Sequence, residues 1–166
     1  MLVLVLGSAL LTSCKPKDSS DAAIGDAEKA YVAPGKYDEF YNFVSGGFSG
    51  QLSVYGLPSG RLFRVIPVFS VDPEKGWGYS EETKPMLNTS HGFVPWDDLH
   101  HVELSQTTGE INGKWAFANA NNTPRLARVD LKTFKTAEII ELPNSGGNHS
   151  SPFGTENSEY IVAGTR

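Results

Sequence analysis

One cysteine, Cys14, and two methionines are all the sulfur this 166-residue chain carries, so no intrachain disulfide can staple it. Basic side chains are scarce as well. Fourteen Lys and Arg against nineteen Asp and Glu leave a formal charge of −5 and a pI near 5.3. The basic residues are scattered, not gathered into a stripe that would track phosphates, which sets nucleic acid aside as a partner. The apolar stretch at residues 1–14 is far too short to cross a bilayer as a helix. What is present is ample core material, with 39% hydrophobic and 11% aromatic residues. Seventeen Gly and ten Pro stand between β-branched and aromatic runs, the pattern of many short strands joined by turns.

The first fourteen residues, MLVLVLGSALLTSC, suit the apolar part of an export signal. They end in Leu11-Thr12-Ser13-Cys14, which resembles a bacterial lipobox, where small residues precede a cysteine that is acylated and becomes the mature N-terminus. Residues 1–14 are therefore expected to be a lipoprotein-type signal segment with Cys14 as lipid anchor. No Lys or Arg precedes Cys14, a departure from the usual signal. Residues 15–36 are small, polar and charged, and read as a flexible tether to a membrane surface.

From Tyr37 to the end, 37–166, the chain repeats itself. Residues 41–66 lie over residues 115–140 without a gap, pairing Tyr41 with Trp115, Phe43 with Phe117, Leu52 with Leu126 and Ile66 with Ile140 at a constant offset of 74. Each unit reads as three antiparallel strands with tight turns (GLPSGR and DLKTFK) before the last one. A second self-match sets His101 beside His149 and Trp115 beside Tyr160, 45 residues apart, the length of one four-stranded propeller blade. The longer offset is then one blade enlarged by an insertion over residues 71–96. The expected fold is all-β: an incomplete β-propeller of about two blades and the opening strand of a third.

In a propeller the innermost strands line a common channel, so His101 and His149, at equivalent places in consecutive units, are expected to be neighbours in space. Imidazole is a common ligand for copper, zinc and iron, and a ring of such positions would make a metal site. His100 adds a constraint. Adjacent residues of a regular strand point to opposite faces, so either the backbone kinks there or the two rings serve different metals. The competing reading has one histidine lining the channel and the other solvated. Asp97 and Asp98 are placed to orient an imidazole. Ser105 and Ser150 lie near histidines but lack a third group or a nucleophile elbow. His91 has no repeat partner and stays unassigned.

Three stretches in order, YDEFYNFVSGGFSGQLSVYGLPSGRLFRVIPVF, GWGYSEETK and DDLHHVELSQTTGEINGKWAFANANNTPRLARVDLKTFKT, resemble the N-terminal part of the nitrous-oxide reductases. The resemblance runs from Tyr37 to nearly the last residue. The lipobox-like leader, without a twin-arginine pair, is similar to the branch of that family exported unfolded by the general secretory route. It implies a periplasmic, lipid-anchored protein loaded with copper after export.

The resemblance further implies a seven-bladed propeller holding a four-copper sulfide cluster through seven histidines, with His100, His101 and His149 as three of them. A following cupredoxin domain would hold a dinuclear copper centre. The implied reaction is two-electron reduction of nitrous oxide to dinitrogen and water, in denitrification, by a homodimer fed by an electron-donor protein such as a cytochrome or cupredoxin. On this reading the 166 residues are an N-terminal fragment, inactive alone. Two rival readings are a membrane-anchored β-propeller binding module without metal and a propeller hydrolase or oxidoreductase with a mononuclear histidine site.

Overall fold

The computed structural model describes residues 26–70, 85, 88–90, 92–94 and 97–164. The expected signal segment, Cys14 and most of the expected insertion, including His91, lie outside them. The expected tether is described from Asp26 onward, where a single helical turn, α1 (Asp26–Lys29), forms. Everything regular after it is strand.

The first sheet is a meander of β1 (Phe40–Ser45), β2 (Gln51–Leu57) and β3 (Leu62–Pro67). β2 shows why: its residues alternate between half-buried and buried, with Leu52 and Val54 fully enclosed, the period of a strand with one face on a core. At the loop before β2, Gly50 has a φ of +65°, and its carbonyl accepts from both Val68 and Phe69 amides. A side chain there would collide with the Phe69–Ser70 backbone, so only glycine lets the chain after β3 close onto this loop.

One short pair, β4 (Asn88–Thr89) with β5 (Gly92–Phe93), is the strand structure described in the insertion. The second sheet follows: β6 (Leu99–Thr107), β7 (Glu110–Ala120), β8 (Arg125–Asp130) and β9 (Lys135–Glu141), in that spatial order. Thr108 and Gly109 close its first hairpin with φ of +53° and +78°, the two positive values that the tightest strand-matched turn demands. A last pair, β10 (Phe153–Gly154) with β11 (Ile161–Val162), lies against β6.

The internal repeat is real at the level of individual residue pairs. Tyr41 faces Gly56 as Trp115 faces Asp130, Phe43 faces Val54 as Phe117 faces Arg128, and Leu52 faces Ile66 as Leu126 faces Ile140. Even the register irregularity recurs, between Val54 and Tyr55 in one sheet and Arg128 and Val129 in the other. The chain is thus all-β, with several small antiparallel sheets and none closed among the described residues, as in an incomplete propeller. Two details differ from expectation. The second unit has four strands but the first has three, because no described strand stands where β6 would have its counterpart. The third unit contributes a short hairpin, not one opening strand, and its second strand starts at Ile161, one residue past Tyr160.

The core joins both sheets: Leu52, Val54, Ile66, Val68, Phe69 and Leu99 pack with Ala116, Ala118, Ala120, Ala127 and Val129. Large side chains on one side and alanines on the other let the layers approach closely and still fill space. Leu52 has no exposed surface. Its truncation, Leu52→Ala, is therefore expected to lower stability by about 2–5 kcal/mol, read as a lower denaturation midpoint; a loss under about 1 kcal/mol would mean the packing is looser than described.

Candidate metal centre

β6 starts irregularly, and that irregularity builds the site. Leu99 faces Ala120 and Val102 faces Ala118, so three steps along β6 match two along β7. The extra residue is a bulge, and His100 and His101 together stand opposite the single residue Asn119. A bulge bends the strand and re-aims side chains. The rings of two adjacent residues, which a regular strand would send to opposite faces, lie with centroids 4.3 Å apart and planes at 72°. Of the two ways to reconcile neighbouring histidines with one site, the backbone kink is present.

His149 arrives from the loop after β9. Its ring centroid is 4.6 Å from that of His100 and 6.0 Å from that of His101. All three histidines singled out in the sequence therefore converge. They do not close on one point, however: among the described residues no group of three or more His, Cys, Asp or Glu is gathered to grip a single ion. The rings share a patch and look out of it at different angles.

Electrostatics favours neutral imidazole. Burial pushes the His101 pKa below its ordinary value, and the neighbouring His100 and His149 push the same way, against the pull of Asp98. Neutral imidazole is the ligand form. Asp98 places Oδ2 3.7 Å from Nδ1 of His100, while its carboxylate also accepts from Asn121 Nδ2 at 3.0 Å. At 3.7 Å Asp98 and His100 are neighbours and not hydrogen-bonded, so the expected acceptance of an imidazole N–H is not made. Asp97 does something else: it is wholly buried and faces Arg125, whose NH2 reaches Asp97 Oδ2 at 3.1 Å. The other oxygen of Asp97 accepts from the amides of Asp98 and Asn122. Ser105, considered as a nucleophile, donates to Asn112 and accepts from the Trp115 amide, so it braces the hairpin and takes no part in the site.

Three residues that sequence reasoning passed over hold the histidines in place. Asn119 is fully buried; its Oδ1 accepts from the His101 amide at 2.7 Å and its Nδ2 donates to the Asn148 carbonyl. Asn148, also fully buried, donates to the Arg125 carbonyl at 3.4 Å. Arg125 stacks over the Phe69 ring at 5.1 Å, and burial lowers its pKa, opposed by the bond and charge of Asp97. A signal existed in the run FANANN: Asn119 falls on an alternating position of a strand whose neighbours are all core-sized or small and apolar. A polar residue there must be hydrogen-bonded, and so has a job. Elsewhere, the groove lined by Phe117, Leu126, Ile140, Leu142 and Tyr160, with Arg128, Glu138 and Glu159, holds none of the histidines.

No family model matches the chain. Individual relatives do. It is 38% identical over 169 residues to a nitrous-oxide reductase of Pseudomonas fluorescens, covering 96% of this chain and 26% of that protein. Against the nitrous-oxide reductase of Stutzerimonas stutzeri it is 37% identical over 166 residues, covering 95% of this chain and 25% of the relative. Against that of Ralstonia nicotianae it is 38% identical over 157 residues, covering 86% and 24% respectively. The chain thus spans about a quarter of the length of the curated relatives it matches.

Proposed function

Because this chain belongs to the nitrous-oxide reductase family, we propose that it supplies the N-terminal blades and three copper ligands of a nitrous-oxide reductase. The observation that carries the reading is the convergence of His100, His101 and His149 on one patch at a bulge. The donor set suits copper, since imidazole is among its preferred ligands. Copper bound there would supply the electrons for N2O + 2 H+ + 2 e− → N2 + H2O.

The chain's own part in that chemistry is positional. The bulge turns two adjacent imidazoles to one side, burial keeps His101 neutral and ready to bind, and Asp98 stands beside the Nδ1 edge of His100. Further ligands, the dinuclear copper centre, the homodimer contact and docking of the electron donor belong to the rest of the protein. The setting we propose is periplasmic, with Cys14 as lipid anchor, and the 166 residues by themselves are proposed to be inactive.

Copper and acid-labile sulfide in the purified full-length protein decide the matter. Several copper ions and sulfide per chain are expected. A folded protein without copper would overturn the proposal and move the chain to a membrane-anchored binding propeller.

A further inference from the structure

Asn119 lies opposite the bulge, at the one position of β7 where two residues of β6 face a single partner. A bulge interrupts the ladder, so at least one amide loses its regular backbone acceptor. Here the His101 amide is served by the Asn119 side chain, 2.7 Å away. The other end of the same amide group donates to the carbonyl of Asn148, the residue immediately before His149. One buried side chain therefore holds the main chain at two of the three imidazoles, and ties a strand of one unit to the loop that opens the next.

We propose that Asn119 is a positioning residue for the histidine cluster, fixing the bulge and the spacing between His101 and His149 before any metal arrives. The amide is the side chain that fits this place. It needs an acceptor for an N–H and a donor for a C=O at two separate atoms; an ionised aspartate only accepts, and a serine hydroxyl offers both from one oxygen on a shorter stem. Its complete burial makes each bond obligatory, since an unpaired polar group there is costly. The inference rests on the copper reading of the site.

The test is made in the full-length protein with Asn119→Asp and Asn119→Ser, and with Val129→Ala as a control. Val129 is a fully buried residue of the same sheet, so its truncation loosens the core without touching either bond. The reading is copper(I) affinity of the apo-protein, by competition with a chelator, together with the visible spectrum of the reloaded protein. At matched melting temperature, the Asn119 variants are expected to lose about 10- to 100-fold in affinity and to show an altered spectrum, the usual effect of disturbing a ligand's support. Val129→Ala should keep both. Parental affinity in either folded Asn119 variant, or an equal loss in Val129→Ala, would overturn the inference. So would failure of both Asn119 variants to fold, because the residue would then serve the core as a whole. A parent protein that takes up no copper would instead bring down the underlying reading.

Discussion

Alanine at both His100 and His101 is expected to strip cluster copper from the full-length protein while leaving it folded. Two of the three imidazoles in the patch disappear together, leaving His149 and the ligands of the rest of the protein with an incomplete donor set. The cost to folding should be small. Both side chains are only half-buried, at the start of β6, so their loss opens no sealed cavity, and stability should change by no more than about 1 kcal/mol. Copper and sulfide analysis beside a thermal melt would separate the two effects. Retained cluster copper in the double variant would remove these histidines from the ligand set.

The largest effect on stability is expected from Asp97→Ala. Arg125 is almost completely enclosed, and Asp97 Oδ2 and Thr123 Oγ1 are its side-chain hydrogen-bond partners, with NH1 already lacking one. Removing the carboxylate takes away the main partner of a buried cation and leaves it only the weaker pull of Glu141, at about 3–5 kcal/mol. Replacing both residues together, Asp97→Ala with Arg125→Met, should recover a good part of that loss, since an apolar pair has no charge left to desolvate. Chemical denaturation of the single and double variants would show it. A double variant as unstable as Asp97→Ala alone would mean the pair is held for its shape and not its charge. The site should feel the single variant too, because the Arg125 carbonyl receives Asn148, next to His149.

Much of this arrangement was readable from the chain, for physical reasons. Repeated sheets bury equivalent faces, so apolar residues must recur in step, and the 74-residue offset matched Leu52 to Leu126 and Ile66 to Ile140, positions that pair alike in the two sheets. The meeting of His101 and His149 followed from the same logic. The bulge was not readable. It is a mismatch of one residue between β6 and β7, and nothing in either strand alone reports how the two align. Asp97 misled because it stands near the histidines in sequence, whereas its partner Arg125 lies on β8. Asn119 had its signal in the run FANANN, whereas Asn148 was hidden among turn-like residues, where only burial distinguishes a structural amide from a solvated one.

The meander order of both sheets has a consequence for how the protein comes together in time. Each strand of the first and second sheets pairs with its neighbour in sequence, so either sheet can form as soon as its last strand is available, without waiting for distant chain. The histidine patch cannot. His100 and His101 are set by the β6–β7 hairpin, but His149 reaches them only after β8 and β9 have been laid down and the chain has turned back past Asn148. Strand pairing within the two larger sheets thus runs ahead of the meeting of the three histidines.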